Sequence, residues 1–138
     1  PIAKAIGAIQ SHSTSNPTSF AQSGAVAALN GPQDHIAEWM TEFSKRRAFA
    51  HEQLNAMPGI TCVNAQGAFY LFPNISSTGM KSAEFCERLL SEAKVAAVPG
   101  VAFGSDDYLR ISYATSMENL NKALERLGEF VQKIGSKK

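Results

Sequence analysis

The sequence predicts a two-layer α+β domain, in which a short, mostly antiparallel sheet has helices packed on one face, preceded by a helical segment. Short β-prone runs alternate with segments whose apolar residues recur every three or four positions, and this alternation is typical of such a domain. Proline and glycine mark the breaks between these segments. With 138 residues, of which 44% are hydrophobic and 18% charged, the chain can bury a core.

The first 31 residues predict helices. Isoleucines recur at helical spacing within residues 1–9, and the polar run QSHSTSN at 10–16 predicts a loop. Asn16-Pro17 is typical of a helix start and Asn30-Gly31 of a helix end, so we expect a helix over 17–29. A longer helix follows from Pro32 to Ala56. We expect its apolar stripe to be buried, and it comprises Ile36, Trp39, Met40, Phe43, Phe49, Ala50 and Leu54.

The remaining residues predict the sheet and two more helices. Residues 60–63 and 68–73 predict an antiparallel hairpin with a four-residue loop, and 95–98 and 108–113 predict two further strands. Ser82 is expected to cap a helix whose buried face includes Phe85, Cys86, Leu89 and Leu90. Thr115 and Glu118 have the spacing of a capping box for the last helix, which ends at Gly135. We expect this helix to bury an apolar stripe of Leu120, Ala123, Leu124, Leu127, Val131 and Ile134.

Composition argues against several classes of function. The net charge of +1, with both signs mixed along the chain, provides no field that would attract nucleic acid or an anionic membrane. No run approaches the ~20 apolar residues of a membrane span, and no signal-peptide pattern opens the chain. Cys62 and Cys86 are interpreted as reduced thiols in or near the core, which favours the cytoplasm. Neither they nor His12, His35 and His51 have metal-ligand spacing, so we expect no metal site.

The serine-rich and glycine-containing runs do not match nucleophile or phosphate motifs. The serines and threonine of residues 11–15 lie in no GxSxG context. Residues 99–104, PGVAFG, match neither GxxxxGK[ST] nor GxGxxG. We therefore interpret 99–104 as a shaped turn rather than a phosphate-binding loop.

One strand carries a candidate binding residue. Side chains alternate across a strand, so in YLRISY the residues Leu109 and Ile111 face one way, whereas Tyr108, Arg110 and Ser112 face the other. Burial of the two apolar residues would fix Arg110 on a rigid element, and a guanidinium so fixed suits bidentate binding of a carboxylate. The alternation alone also agrees with an exposed or ion-paired arginine, and by itself it favours that interpretation.

Three segments together resemble a known family. They are QSHSTSNPTSFAQ, GAFYLFPN and VAAVPGVAFGSDDYLRISYATSMENL, and their order and spacing resemble the carboxyl-terminal third of fold-type I, class I/II aminotransferases dependent on pyridoxal phosphate, most of all bacterial aspartate aminotransferases. The resemblance covers essentially the whole chain. It implies that residues 1–31 are a helical remnant of a large domain with the interdomain connection. Residues 32–138 would then be the small, carboxyl-terminal domain.

The resemblance also implies roles for individual residues. Arg110 matches the arginine that binds the substrate α-carboxylate, and Phe69 matches an aromatic residue on the substrate side of the pocket, although a buried strand aromatic is nearly as good an interpretation. Ser15 and Asn16 lie in a loop that, in the family's homodimers, approaches the partner subunit's cofactor phosphate. A polar interface loop without ligand contact explains that loop equally well.

The cofactor-anchoring lysine of the family lies in a serine-x-x-lysine motif that is followed shortly by glycine-x-arginine, and no lysine of this sequence has that context. We therefore expect no catalytic residue in this chain, no transamination by the chain alone, and pyridoxal phosphate bound only by the complete enzyme. The expected substrates are an amino acid and a 2-oxo acid. Two alternatives stay open at this point, a non-catalytic carboxylate-binding module and a related pyridoxal-phosphate lyase or acyl-transferring synthase.

Overall fold

The computed structural model describes residues 1–135, and these form five α-helices and three short strands. The elements in chain order are α1 (Ile2–Ser13), α2 (Ser19–Asn30), α3 (Asp34–Ala56), β1 (Tyr70–Leu71), α4 (Ser82–Arg88), β2 (Val98–Pro99), β3 (Leu109–Ser112) and α5 (Met117–Gly135). A π-helical turn at Leu89–Ala93 continues α4, and 3₁₀ turns lie at Ser76–Thr78 and Gly100–Phe103. The chain divides into two compact units, Pro1–Ala37 and the residues from Glu38 onward.

The first unit is helical, but α1 extends to Ser13, so the loop predicted over residues 10–16 is wrong for residues 10–13. Its helices α1 and α2 bury no residue, and Ile2, Phe20 and Leu29 are each close to 80% exposed. The helix predicted from Pro17 begins at Ser19 with Thr18 as its cap residue, and Gly31 ends it as expected. The division between the units falls after Ala37, six residues beyond the predicted boundary at 31; whether the first unit belongs to a large domain stays a prediction.

The sheet of the second unit is antiparallel throughout, in the strand order β1-β3-β2. Tyr70 pairs with Ser112 on one side of β3, and Val98 pairs with Arg110 on the other. Leu109 and Ile111 are buried whereas Arg110 is half-buried, so the predicted alternation along this strand is confirmed. Because β3 is the central strand, Arg110 lies between β1 and β2 in the sheet.

The core lies between the buried face of the sheet and three helices. Leu54 of α3, Phe85 of α4, and Leu120 and Leu124 of α5 pack against the sheet residues Leu71, Leu109 and Ile111. Phe85 meets Phe130 of α5 edge to face, with ring centroids 5.2 Å apart. The apolar stripe predicted for the last helix is therefore confirmed, and the two-layer arrangement follows from it.

The predicted hairpin of residues 60–63 with 68–73 is wrong. Its second half contains β1, but β1 pairs with β3, and the first half contributes one isolated bridge, Thr61 to Asn74. The side chain of Asn55 provides the reason. Its Oδ1 accepts the Cys62 N–H at 3.0 Å, and its Nδ2 donates to the Cys62 carbonyl at 3.0 Å. The backbone groups that a partner strand would bind are thus satisfied by an amide from α3.

Both predicted helix caps near the sheet are also wrong. The last helix begins one residue later than the Thr115–Glu118 box requires, and the Asn119 N–H donates to Ser116 Oγ at 3.2 Å. Glu118 pairs with Lys122 instead. Ser82 is not a cap residue but the first residue of α4, with Lys81 in the cap position, and its side chain is fully buried.

Part of the predicted core is exposed. Ile36, Trp39 and Met40 are 43%, 60% and 58% exposed, so the interpretation of the whole α3 stripe as core is wrong, and burial begins only in the second half of the helix. Leu90 is 54% exposed rather than buried, and it lies in the π-helical turn that continues α4. Among the described residues no helix is long and apolar enough to cross a membrane.

Candidate functional site

Arg110 lies on the exposed face of β3 with its guanidinium between two aromatic rings. Its Cζ atom is 4.2 Å from the ring centroid of Tyr70, which comes from β1, and 4.8 Å from that of Phe103, which ends the 3₁₀ turn after β2. A cation over an aromatic face is attracted by the ring quadrupole, and arginine is the side chain most often found so. One ring from a neighbouring strand and one from the turn after β2 therefore contact the guanidinium of Arg110.

The guanidinium of Arg110 makes no salt bridge within residues 1–135. Its N–H donors lie in the plane of the group and are not consumed by contacts with rings on its faces. A carboxylate can therefore approach along the donor edge and accept two parallel hydrogen bonds. The interpretation of Arg110 as an ion-paired surface arginine does not fit this arrangement.

A cavity of about 450 Å³ opens beside Arg110. Arg110 is the one charged residue lining it within the described part of the chain, and the other walls are apolar or aromatic, formed by Val63, Ala65, Tyr70, Leu71, Phe72, Phe103 and Tyr108. Because the walls are largely apolar, a charge-assisted hydrogen bond in this cavity is stronger than the same bond in water. The cavity thus presents one fixed cation to an incoming anion.

Neighbouring aromatic residues hold the ring of Phe103 in place. Phe72 meets Phe103 edge to face, with centroids 6.0 Å apart, and stacks on Tyr108 at 5.0 Å with only 7° between the ring planes. Phe72 follows β1 and Tyr108 precedes β3, so this stack joins the strands on the same face that carries Arg110. Offset and edge-to-face pairs of this kind favour one geometry over others.

The turn that carries Phe103 is closed by a buried serine. Ser82 Oγ donates to Asp106 Oδ1 at 2.7 Å and accepts the Val101 N–H at 3.1 Å. The hydrogen bonds from the Ser82 hydroxyl and then from its backbone N–H lower the pKa of the Asp106 carboxyl, with a smaller contribution from Lys81. The sequence interpretation of residues 99–104 as a shaped turn is confirmed by the 3₁₀ turn and its left-handed end at Gly104.

Phe69 lies in a different cavity from Arg110. Its side chain is 41% exposed, packs on Phe43 with centroids 6.2 Å apart, and lines a cavity of about 290 Å³ with Phe43 and Tyr113. Phe69 lies in the turn before β1, and its ring contacts the ring of Tyr70 with centroids 4.6 Å apart, so it adjoins the cavity at Arg110 through Tyr70 without lining it. Tyr70 rather than Phe69 contacts the arginine.

Ser15 and Asn16 lie in the loop between α1 and α2, within the first unit. Both are exposed, and Ser15 has a left-handed backbone with φ 57° while its N–H donates to the Gln10 carbonyl at 3.0 Å. The loop offers hydroxyl and amide groups but no cation of its own. It can contribute hydrogen bonds to an anion without balancing its charge.

The two cysteines are free and buried, as expected from the sequence. Burial raises the pKa of Cys86 to about 11 and also raises that of Cys62. A raised pKa keeps the thiol protonated, which suits a core residue and not a nucleophile. Among the described residues no group of histidine, cysteine and carboxylate side chains is placed to hold a metal ion.

Comparison with known proteins identifies the family. The model of aminotransferase class I and II matches residues 1–127. The chain belongs to this family. The aspartate aminotransferase of Bacillus subtilis is 49% identical over 137 residues, which cover 96% of this chain and 35% of that protein. A probable aspartate/prephenate aminotransferase of Rickettsia conorii is 46% identical, covering 95% and 35%.

Solved structures of aminotransferases give the same result. The crystal structure of the aspartate aminotransferase from Rhizobium meliloti matches with a TM-score of 0.85 and 41% identity, over 94% of this chain and 35% of that one. An aromatic aminotransferase from Pyrococcus horikoshii matches with a TM-score of 0.84 and 40% identity, over 91% and 34%. The chain therefore spans about a third of the length of the aminotransferases that it resembles.

Sequence reasoning found the arginine of this aminotransferase chain but not the rings around it. The direction of Tyr70 could have been predicted, because Tyr70 alternates with Leu71 in a predicted strand. Its contact with Arg110 depends on which strand lies next to β3, and the wrong hairpin concealed that pairing. Phe103 lies in a turn, where no periodicity indicates the direction of a side chain.

Proposed function

We propose that the complete protein transfers an amino group between an amino acid and a 2-oxo acid, in the manner of an aspartate aminotransferase, and that Arg110 binds the substrate α-carboxylate. The observation that carries the proposal is the guanidinium of Arg110, held by Tyr70 and Phe103 over an apolar cavity with its donors uncommitted. Family membership supports the reaction class. The names of the aspartate aminotransferase relatives support the substrate class.

We further propose that the chain is the carboxyl-terminal portion of this enzyme. The support is the order of its motifs, with the loop of Ser15 and Asn16 first and the arginine strand last. On this proposal residues 1–31 belong to the large domain and its connection, and 32–138 form the small domain. The exposed apolar residues of α1 and α2 then have a partner surface in the remainder of the enzyme.

Pyridoxal phosphate, the cofactor of the family, is proposed for the complete enzyme and not for this chain alone. No lysine lines the cavity at Arg110 within the described residues, so the side chains there fit a substrate carboxylate but not the attachment of that cofactor. Ser15 and Asn16 remain candidates for hydrogen bonds to the cofactor phosphate across a homodimer interface. Phe69 remains a candidate for the substrate side of the site. The free thiols agree with a cytoplasmic location.

The part of Arg110 in the reaction is positioning. Two parallel N–H···O bonds fix the plane of the carboxylate and with it the direction of the substrate Cα–H bond. Holding the reacting bond in one orientation lowers the entropic part of the barrier. Lysine cannot reproduce this, since an ammonium group offers a point charge without the planar fork.

The test is steady-state kinetics of the complete subunit with Arg110→Ala and Arg110→Lys. Loss of two charge-assisted hydrogen bonds, at roughly 1.5–3 kcal/mol each, predicts a fall in kcat/KM for Arg110→Ala on the order of 10²–10⁴-fold. Arg110→Lys should recover only part of it. Arg126→Ala, which removes an exposed arginine of α5, should stay near the parent.

Two outcomes of this experiment would count against the proposal. Unchanged efficiency in Arg110→Ala would remove the assignment of the arginine. Transamination by the purified 138-residue chain would contradict the expectation that the chain alone is inactive. If calorimetry instead shows that the chain alone binds 2-oxo acids tightly, the carboxylate-binding module becomes the better description.

A further inference from the structure

We propose that Tyr70 and Phe103 are positioning residues that hold the guanidinium of Arg110 for carboxylate binding, an inference that rests on the proposed function of Arg110. Neither ring is assigned a role by the family comparison. The contacts that carry the proposal are the two cation–π distances, 4.2 Å to Tyr70 and 4.8 Å to Phe103. Within residues 1–135 no salt bridge restrains the guanidinium of Arg110.

An arginine side chain needs some constraint to bind in one geometry. It carries about 2 kcal/mol of rotamer entropy, which is lost when a carboxylate fixes it unless the fold has already restricted it. A carboxylate from the protein would restrict it, but that carboxylate would also compete with the substrate for the same donors. Aromatic rings restrict the guanidinium through its faces and leave its N–H edge available. Tyr70 and Phe103 thus preorganise the site without occupying it.

The two rings are themselves fixed by different parts of the fold. Tyr70 belongs to β1, and its position follows from backbone pairing with Ser112. Phe103 is held by Phe72 and by the turn that Ser82 closes through Val101. Because Tyr70 belongs to a strand and Phe103 to a turn, displacement of either element would remove one of the two contacts with Arg110.

The aromatic ring of Tyr70, and not its hydroxyl, makes the contact. Tyr70→Phe keeps the ring, whereas Tyr70→Leu removes it, so this pair of variants separates the two. Phe103→Leu removes the second ring from a different element. Phe49→Leu is the matched control, a half-buried aromatic of the same unit that packs against the core and does not line the cavity at Arg110.

The first experiment is steady-state kinetics of the complete subunit. Tyr70→Leu and Phe103→Leu should each raise the KM for the 2-oxo acid about tenfold, with a smaller change in kcat, because a cation–π contact is worth about one such factor. Tyr70→Phe and Phe49→Leu should stay within about twofold of the parent. In an Arg110→Ala background, Tyr70→Leu should have no further effect, since its partner is gone.

The second experiment observes the arginine directly in the 138-residue chain. Ring currents should displace the Arg110 Nε–H resonance in a ¹H–¹⁵N spectrum, and Tyr70→Leu should move it toward the position of an exposed arginine while Tyr70→Phe should not. An equal loss from Tyr70→Leu with and without Arg110, or an unmoved Nε–H resonance, overturns the positioning role. If Arg110→Ala leaves kcat/KM unchanged but the Nε–H resonance of the parent is displaced, the proposed function has failed while the rings still hold the arginine.

Discussion

Removal of the Ser82 hydroxyl should destabilise the second unit through the turn that carries Phe103. Ser82 is fully buried, and its Oγ makes two hydrogen bonds, to Asp106 Oδ1 at 2.7 Å and from the Val101 N–H at 3.1 Å. Each such bond contributes about 1 kcal/mol net. Ser82→Ala removes both, so we expect a loss of about 2 kcal/mol in the free energy of unfolding.

Urea denaturation of the 138-residue chain, followed by circular dichroism, measures this loss. For an m-value of about 2 kcal/mol/M, the midpoint should fall by roughly 1 M with the slope unchanged. Ser91→Ala is the control, because Ser91 Oγ makes one exposed hydrogen bond to the Arg88 carbonyl and its removal should cost little. If both serine variants lose the same small amount, the reasoning that a buried hydroxyl holds this turn is refuted.

Two further predictions concern the charge and the backbone of the same unit. Glu92 accepts hydrogen bonds from Arg88 and Lys133, which lower the pKa of its carboxyl to about 2 from an ordinary 4.5. A lowered folded-state pKa gives stability that is present above pH 4.5 and lost as the pH falls toward 2. An acid titration of the stability of Glu92→Gln should therefore show a flatter loss than that of the parent. A Cβ at Gly100 would collide with two backbone carbonyl oxygens across the turn. Gly100→Ala should therefore cost roughly 3 kcal/mol or more in urea denaturation, and a cost under about 1 kcal/mol would contradict the geometry.

The sequence was informative for elements whose apolar residues recur with the period of the strand or helix and therefore lie on one buried face. Leu109 and Ile111 predicted the direction of Arg110, and the stripe of α5 predicted its buried side chains. In both elements the face marked by the sequence period is the face that packs in the fold. The two-residue period of β3 and the 3.6-residue period of α5 are therefore enough to predict which side chains are buried. The same reasoning placed Arg110 on a rigid strand before its surroundings were known.

The sequence was misleading where a side chain from a distant element decides the outcome. Residues 60–63 have the composition of a strand, yet the amide of Asn55 takes the backbone groups of Cys62. Trp39 and Met40 fit the α3 stripe, yet they lie beyond the part of the helix that the sheet and α5 cover. The rings around Arg110 depend on strand order, which local propensity does not encode.

The order of the strands has a consequence for how the chain acquires its structure during synthesis. Both ladders of the sheet use β3, which is the last strand to be made, and β1 and β2 do not pair with one another. Until Leu109 to Ser112 emerge, the two earlier strands have no ladder partner, and a chain that stops short of them has neither ladder. The contact between Arg110 and Tyr70 therefore forms when β3 pairs with β1, so this contact indicates that the sheet is complete.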